Sequence, residues 1–226
     1  MILRGVIFDV DGTLVDSQGD IVAAMSAAFR RAGLPVPARA EILAQVGLSL
    51  DVIFPRLCPD APAALTGAMV QWYKEAYAAA RQTKGSAVSS PLYAGARSCL
   101  DALHNVPEIV LGVATGKSRR GLTHLLRDHG LAPLFDAAHC ADDHPSKPHP
   151  AMLRAAIGDL GIEPEAAVMV GDTSYDMQMA RNAGALCIGV TWGYHTAAAL
   201  TGADAVVSDF AELKDAILDL WSDAHV

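Results

Sequence analysis

Between residues 93 and 221 the sequence alternates short apolar segments with longer segments of helical periodicity. The apolar segments are typical of buried strands: Glu108–Val113, Phe135–Cys140, Ala166–Val170, Leu186–Val190 and Ala205–Val207. The helical patterns between them cover Tyr93–His104, Lys117–His129, Pro150–Leu160, Ser174–Ala183 and Phe210–Trp221. Strands that alternate with helices predict a parallel sheet with helices on both faces, which is a Rossmann-like α/β fold.

The first strand, Leu3–Asp9, is separated from the others by a long segment with helical patterns and no convincing strand. These patterns cover Asp20–Ala32, Arg39–Gln45, Leu50–Leu57 and Ala63–Arg81. Gly85–Pro91 is rich in glycine and serine, which predicts a linker back to the sheet. We therefore expect an α/β core of residues 1–14 and 89–226, interrupted by an inserted α-helical cap domain of residues 15–88.

Ligands of open parallel sheets bind beyond the carboxyl ends of the strands, so polar residues at strand ends are candidate site residues. The first strand ends in Asp9 and Asp11, followed by Gly12 in a tight loop. Two carboxylates this close repel each other unless a cation or a proton compensates. Asp9 is suited to be a nucleophile and metal ligand, and Asp11 to be a general acid/base that exchanges a proton with the leaving oxygen.

Two further segments offer groups that bind phosphate. Thr115 ends a strand, and its hydroxyl together with the amides of Gly116 and Lys117 is predicted to bind phosphate oxygens. Lys147 lies among prolines and histidines and is suited to neutralise charge on the phosphate and on Asp9. Taken alone, these two segments also fit a threonine helix cap and a solvent-exposed lysine.

A fourth segment supplies more carboxylates. The apolar strand Ala166–Val170 leads into Gly171 and Asp172, and Asp176 follows on the next helix. Clustered carboxylate oxygens suit Mg²⁺, whereas the alternative for Asp172 alone is a helix cap. The four segments together supply a nucleophile, a proton donor, a hydroxyl, a cation and metal ligands, which is the equipment for phosphoryl transfer.

These segments, in this order, resemble the motifs of the haloacid dehalogenase-like hydrolase superfamily over nearly the whole chain. The motifs are Asp9-Val10-Asp11-Gly12-Thr13, Thr115, Lys147, and Gly171-Asp172 with Asp176. Within the superfamily the sequence is most similar to the phosphoglycolate phosphatase branch with a small helical cap. That similarity lies in Gly12–Ser17, Arg181–Gly184 and Gly189–Tyr194.

The resemblance implies a mechanism. Asp9 attacks phosphorus and becomes an aspartyl phosphate, while Asp11 protonates the departing alcohol and then activates water. Mg²⁺ is held by the carboxylates of Asp9 and Asp172 and by the backbone carbonyl of Asp11. The expected activity is Mg²⁺-dependent hydrolysis of a small phosphorylated metabolite such as 2-phosphoglycolate.

The resemblance also assigns supporting roles. Thr115, Gly116 and Lys147 hold the phosphate, and Asp176 supports both the metal and Lys147 without binding the metal itself. Cap cations that are candidates to meet a substrate carboxylate are Arg39, Arg56, Lys74, Arg81 and Lys84, most of them expected on the solvated surface.

Several related functions are alternatives. A β-phosphoglucomutase-like phosphomutase, a pyrophosphatase and a nucleotidase of the same family share these core residues. The absence of charge in Val46–Ser49, where a cap specificity loop is expected, disfavours the mutase. Asp11 disfavours a dehalogenase, because a departing halide needs no proton. A non-catalytic relative that only binds ligand would have lost a core carboxylate or lysine, and none is lost.

Charge and cysteine content limit partners and location. The formal net charge is -8 and no basic run stands out, so no nucleic-acid partner is expected. No apolar stretch is long enough to span a bilayer, so no membrane partner is expected. The four cysteines form no close pair, which is typical of reduced thiols in a cytoplasmic protein. We expect a monomer or a homodimer.

Overall fold

A computed structural model describes residues 2–223 and contains, over that range, a sheet of six strands that are all parallel. The strands are β1 (Arg4–Phe8), β2 (Ile109–Thr115), β3 (Ala137–Cys140), β4 (Ala167–Gly171), β5 (Leu186–Val190) and β6 (Ala205–Val207). Each corresponds to a predicted strand, so the predicted α/β class is confirmed. Residues 1 and 224–226 of the predicted core lie outside the described range.

The strand order is β3-β2-β1-β4-β5-β6, so the chain first extends the sheet in one direction from β1 and then in the other. The order therefore reverses between β1 and β4, whose ends align with Phe8 opposite Val170. Just beyond, the Asp9 amide donates to the Val170 carbonyl at 2.9 Å. A reversal of this kind leaves a crevice at the carboxyl ends of the two strands, where ligands bind in open α/β sheets.

Helices cover both faces of the sheet and make it a three-layer core. The α-helices that cover the sheet lie after residue 95 in the described chain: α6 (Ala96–His104), α7 (Arg119–Asp128), α8 (Ala151–Leu160), α9 (Ser174–Ala183) and α10 (Phe210–Asp223). Alternate strand residues divide between the two faces. Val168 and Val170 pack with α6, α7 and α10, whereas Met169 packs with α8 and α9.

In the sequence, β1 is followed by four helices, here called the cap helices, and by a short fifth helix, all of which precede α6. They are α1 (Gln18–Arg31), α2 (Arg39–Leu43), α3 (Leu50–Leu57), α4 (Ala63–Lys84) and α5 (Ser86–Ser89). The cap helices surround their own hydrophobic cluster, with Phe29 and Phe54 fully buried in it at a ring distance of 5.9 Å. The buried residues of this cluster all belong to the cap helices and the loop between α2 and α3, and Tyr175 and Tyr194 from the segments after β4 and β5 pack against it.

The two crossings between the sheet and the cap helices lie side by side. Val15 and Leu92 form an antiparallel bridge, the Asp16 amide donates to the Pro91 carbonyl at 2.9 Å, and the Tyr93 amide donates to the Leu14 carbonyl at 3.0 Å. The chain therefore leaves the sheet and returns to it at one place.

Several element boundaries differ from the sequence prediction by one to three residues, and three of the differences are described here. Gly85–Pro91, predicted as a linker, contains one helical turn, Ser86–Ser89. The helix predicted from Tyr93 begins at Ala96, since Gly95 precedes it with φ of 86°. The helix predicted from Lys117 begins at Arg119, because the Ser118 hydroxyl caps it by accepting from the Gly121 amide at 3.2 Å. Over the described residues no helix combines the length and apolar character needed to cross a membrane.

Candidate active site

Segments that follow four neighbouring strands meet at the reversal of strand order. Asp9 follows β1, Thr115 ends β2, Lys147 lies in the loop after β3, and Asp172 follows β4. All four side chains are buried, with 2% or less of each residue exposed. The strand-end positions read from the sequence therefore converge on one place, as parallel strands require.

Lys147 forms a buried ion-paired group with two carboxylates. Its Nζ lies 2.9 Å from Asp9 Oδ1 and 2.7 Å from Asp176 Oδ1, and the side chain is fully enclosed. A solvent-exposed lysine, the alternative left open by the sequence, is thereby excluded. A buried ammonium needs a charged partner, and Asp9 and Asp176 both supply one to Lys147.

Asp176 is held in place by the residue that caps its helix. Its Oδ2 accepts hydrogen bonds from the Thr173 amide at 3.0 Å and the Thr173 hydroxyl at 2.6 Å, and its own amide donates to that hydroxyl at 3.3 Å. Thr173 is therefore the cap of α9, and the alternative of Asp172 as the cap is wrong. The other oxygen of Asp176 stays available for Lys147.

Asp172 is fixed by contacts to both neighbouring loops. Its Oδ1 accepts from the Thr13 hydroxyl at 2.9 Å and its Oδ2 from the Tyr194 amide at 2.8 Å. Gly12 and Gly193 press against this carboxylate so closely that a Cβ on either glycine would collide with it. At Gly12 the backbone also has φ of 88°, which favours glycine.

The buried charges fit a divalent cation. Oxygens of Asp9, Asp172 and Asp176 lie within 4.8 Å of one another. Three carboxylates and the single ammonium of Lys147 leave a formal charge of -2 in a region closed to water. Within the described chain, Asp9 Oδ2 accepts no hydrogen bond although it is buried. An unpaired hard oxygen beside an excess of negative charge suits a cation such as Mg²⁺.

The electrostatic environment of these groups follows from the same excess charge. Burial raises the pKa of Asp9 to about 6, although Lys147 opposes that shift. Burial also raises the pKa of Asp172 well above its usual range, and the charges of Asp176 and Asp9 add to the shift. For Lys147, burial lowers the pKa, but Asp176 and Asp9 outweigh it and raise the pKa overall. Lys147 therefore stays charged, whereas its single positive charge does not fully compensate the negative charges of the buried carboxylates.

Asp11 points toward the cap rather than toward Lys147. Both its oxygens accept from Lys117 Nζ, at 2.7 and 2.8 Å, and its Oδ1 also accepts from the Ser17 hydroxyl at 2.5 Å. Lys117 donates in addition to the hydroxyl of Tyr77 on cap helix α4, at 3.2 Å. Asp11 is thus connected to the cap helices in two ways, directly by Ser17 at the start of α1 and through Lys117 to Tyr77 on α4.

Three contacts around Asp11 were not predicted from the sequence: Lys117 with Asp11, Lys117 with Tyr77, and Ser17 with Tyr194. The sequence suggested only the amide of Lys117, although its position directly after Thr115-Gly116 at a strand end was a usable signal. Tyr77 belongs to an aromatic pattern on α4 that indicated helix packing alone. The Tyr194 hydroxyl lies 3.0 Å from the Ser17 hydroxyl, and no local pattern indicated that contact.

A cavity of about 390 Å³ lies between the cap helices and the carboxyl end of the sheet. Asp9, Asp11, Thr115 and Gly116 form its core side. Of the predicted phosphate-binding residues, Thr115 and Gly116 line this cavity together with Asp11 and Asp9. Lys147 and Asp172 do not line it and are connected to it through Asp9, which lies 2.9 Å from Lys147 Nζ and belongs to the same carboxylate cluster as Asp172.

The predicted cap cations divide into two groups. Lys74 and Arg81 line the cavity. Arg39 donates to Gln18 at 2.6 Å, and Arg56 lies 5.9 Å from the centre of the Tyr175 ring, so neither belongs to the cavity lining. The side chain of Lys84 lies outside the described part of the structure.

The loop between α2 and α3 closes the cavity against the core. The Ser49 amide donates to the Ser146 hydroxyl at 2.9 Å, and the Ala44 carbonyl accepts from the Tyr175 hydroxyl at 3.2 Å. Gly116 and Gly47 approach so closely that a Cβ on Gly116 would lie 2.6 Å from the Gly47 carbonyl oxygen. The cap is therefore closed over the site in this structure.

Replacing Gly116 with alanine should lower kcat/KM by roughly 10- to 100-fold, because the added methyl group meets backbone and must displace the cap loop. Steady-state hydrolysis of a chromogenic phosphate ester measures this. Gly67→Ala is the matched control, since Gly67 is on cap helix α4 with open space around it. Equal rates for Gly116→Ala and Gly67→Ala would contradict the importance of this contact.

The family model for haloacid dehalogenase-like hydrolases matches residues 6–190, which include every candidate residue of the site. The chain therefore belongs to the haloacid dehalogenase-like hydrolase family. The resemblance drawn from the motifs is confirmed, and with it the expectation of an enzyme of this class.

Individual relatives carry phosphatase names. A "Probable phosphatase IndB" from Dickeya dadantii is 37% identical, over 93% of this chain and 92% of the relative. A "Phosphoglycolate phosphatase" from Photorhabdus laumondii is 30% identical, over 95% of this chain and 92% of the relative. The crystal structure of a "predicted phosphatase" from Clostridium acetobutylicum matches with a TM-score of 0.86 at 26% identity, over 97% of this chain and 100% of that one. The predicted class, a haloacid dehalogenase-like phosphatase, agrees with all three.

Proposed function

We propose that this chain is a Mg²⁺-dependent phosphomonoester hydrolase whose nucleophile is Asp9. The observation that carries the proposal is the buried Asp9 carboxylate, which has an unpaired oxygen, an adjacent ammonium and a position in the lining of the cavity between cap and core. A carboxylate in water is a weak nucleophile toward an anionic phosphate. Positive charge that is already in place lowers the repulsion between them.

The chain's own residues have distinct parts in the proposed reaction. A carboxylate oxygen of Asp9 forms a bond to phosphorus as the bond to the alcohol oxygen breaks, which leaves an aspartyl phosphate. Asp11 gives its proton to the departing alcohol and later takes a proton from the water that attacks the aspartyl phosphate. In the present structure Asp11 is bound to Lys117, so it must exchange that contact for the substrate oxygen.

The phosphate is proposed to lie between the core residues and the metal. Thr115 and Gly116 face the cavity and supply a hydroxyl and an amide, and Lys147 supplies charge. Asp9, Asp172 and the backbone carbonyl of Asp11 are proposed to hold Mg²⁺. When bound, Mg²⁺ would offset the negative charge on the phosphate oxygens. Asp176 has no free oxygen, since Lys147 and Thr173 occupy both, and its proposed part is to position Lys147.

Removing divalent metal should reduce phosphate release by at least about 100-fold, and adding Mg²⁺ should restore it. The -2 charge of the buried cluster also predicts that Mg²⁺ raises the thermal unfolding midpoint, because the cation binds only the folded arrangement. Dialysis against a chelator, followed by activity and melting measurements, checks both. Ca²⁺ should restore less activity, since it takes more ligands in a looser geometry. Full turnover in excess chelator would refute the metal requirement.

We further propose that residues 15–88 are an inserted cap domain on a core of residues 1–14 and 89–226. The separate hydrophobic cluster of the cap helices and the adjacent crossings at Val15 and Leu92 support this division. Hinges at Leu14–Asp16 and Gly85–Pro91 would let the cap open for substrate and close to exclude water.

Several relatives are named phosphoglycolate phosphatases, which supports the prediction of 2-phosphoglycolate as the substrate, and it is the reference against which other esters are compared. A β-phosphoglucomutase from Clostridium difficile has a similar fold, with a TM-score of 0.84 at 19% identity. The lack of charge in Val46–Ser49 still disfavours a mutase. Isomerisation of a sugar phosphate without release of phosphate would identify one.

The expected partners and location stay predictions. A small phosphorylated metabolite follows from the proposed chemistry, and the acidic charge argues against a nucleic-acid partner; a monomer or a homodimer stays an expectation. All four cysteines are free thiols, and three of them are buried, which supports a reducing, cytoplasmic location.

A further inference from the structure

The cavity above Asp9 is larger than the proposed reaction needs. Its volume of about 390 Å³ falls within the range of roughly 300–1,000 Å³ that is typical of sites for drug-sized ligands. The phosphate occupies only the end beside Asp9 and Thr115. The leaving group of 2-phosphoglycolate has two carbons and a carboxylate, so it would leave most of the remaining space to water.

The cap side of this space is apolar where it is buried. It is formed by six aliphatic side chains of α1–α3 and the loop between α2 and α3, each with 6% or less exposed: Ile21, Met25, Ile42, Val46, Leu48 and Ile53. These six side chains themselves offer no hydrogen-bond donor to a carboxylate placed against them, which is unfavourable for a buried charge. An apolar group there would instead be removed from water.

The charged residues of the lining lie elsewhere. Lys117 is committed to Asp11, and Lys74 lies 3.4 Å from Asp142. Arg120 is exposed and Arg81 is half-buried, so these two lie toward the solvent side of the cavity. The cavity is thus charged at the phosphate end and toward solvent, whereas the six aliphatic side chains, together with Tyr73 and Tyr77, form its wall on the cap side.

From this distribution we propose that the enzyme's substrates are phosphate monoesters of alcohols with an apolar body of about the size of an aromatic ring. The apolar body lies against the six aliphatic side chains of the cap, next to the phosphate on Asp9. This inference rests on the proposed phosphatase function and specifies the substrate class of that site. An enzyme with this site should prefer esters with an apolar leaving group, whereas an enzyme specific for 2-phosphoglycolate should prefer a small leaving group that carries a carboxylate.

A series of alkyl phosphates tests the proposal on the unmodified enzyme with Mg²⁺. Ethyl, butyl and 2-phenylethyl phosphate have alcohols of similar acidity, so differences in kcat/KM report contacts of the leaving group rather than its chemistry. We expect kcat/KM to rise at least about 10-fold from ethyl to 2-phenylethyl phosphate, since one added methylene in an apolar pocket is worth about 10-fold or more. The kcat/KM for 2-phenylethyl phosphate should also exceed the kcat/KM for 2-phosphoglycolate.

A matched pair of variants locates the effect. Met25→Gln adds a polar group of similar shape to the cavity wall, whereas Met69→Gln makes the same change in the same hydrophobic cluster away from the cavity lining. The ratio of kcat/KM for 2-phenylethyl over ethyl phosphate should fall at least about 10-fold in Met25→Gln and stay unchanged in Met69→Gln. Equal ratios in the two variants would refute the proposed position of the apolar body.

The remaining outcomes separate this inference from the proposed function. If 2-phosphoglycolate, ethyl phosphate or adenosine 5′-monophosphate is hydrolysed with an equal or higher kcat/KM, the enzyme is a phosphatase and the apolar substrate class is wrong. If none of the esters releases phosphate with Mg²⁺ present, the phosphatase function fails, and the substrate class fails with it.

Discussion

Asp9→Asn should lower kcat for phosphate ester hydrolysis by at least about 10³-fold, because loss of a nucleophile removes the covalent route altogether. The amide has nearly the same shape as the carboxylate but lacks its charge. Burial raises the pKa of Asp9 to about 6, so its negative charge is unfavourable in the folded protein without a bound cation. The variant should therefore fold at least as stably as the parent in the absence of Mg²⁺. Lost activity with retained stability is the expected combination.

Two measurements separate the nucleophile from a general loss of function. Asp16→Asn is the matched control and should keep its activity, since Asp16 lies on the same segment but, among the described residues, its carboxylate accepts hydrogen bonds from Gln18 alone. Acid-quenched mass spectrometry during turnover should find one phosphoryl group on Asp9 in the parent and none in Asp9→Asn. Near-normal turnover by Asp9→Asn, or a phosphoryl group on another residue, would eliminate Asp9 as nucleophile.

The positions of the site residues along the chain were predictable, because the strand ends are. In β4 the apolar run Ala167–Val170 marks a strand buried on both faces, and the first polar residue after it, Asp172, must lie at the carboxyl end of the sheet. The same argument placed Asp9 and Thr115. A parallel sheet has only one such end, so local patterns were enough to bring these residues together.

Contacts between the cap and the core could not be predicted from the sequence. The Lys117–Tyr77 contact joins residues that are 40 positions apart, on a loop and on a helix with no shared period. Whether they meet depends on how the cap packs over the sheet. That packing is determined by close backbone approaches, such as Gly47 against Gly116, which no composition or periodicity reports. The size and lining of the cavity between cap and core, on which the proposed substrate class depends, are visible only in the three-dimensional structure.

Helix ends were predicted less well than helix existence. The helix predicted from Lys117 starts two residues later, because the Ser118 hydroxyl accepts from the Gly121 amide and sets the start. Lys117 is thereby left in the loop, free of helix geometry, and its side chain reaches Asp11 at 2.7 Å. A small error in one boundary thus concealed a functional contact.

Lys147→Met should destabilise the protein by about 3–5 kcal/mol, which is the usual cost of removing one partner from a buried ion pair. Lys147 is the only cation in direct contact with Asp9 and Asp176 among the described residues, and both carboxylates are closed to water. Without the ammonium, two buried negative charges lie beside the third on Asp172. Urea denaturation measures the change, with Lys74→Met as control because the Lys74–Asp142 pair is largely exposed and worth little.

The origin of that loss is testable with a second substitution. If unpaired charge is the cause, adding Asp176→Asn to Lys147→Met should restore a substantial part of the lost stability, although Asp176→Asn alone is destabilising. Mg²⁺ should also stabilise Lys147→Met more than it stabilises the parent, since the variant has one positive charge fewer among the same three carboxylates. Activity should stay low in both variants, because Lys147 is proposed to offset the charge of the phosphate itself. A double variant no more stable than Lys147→Met would show that lost packing, rather than lost charge, accounts for the effect.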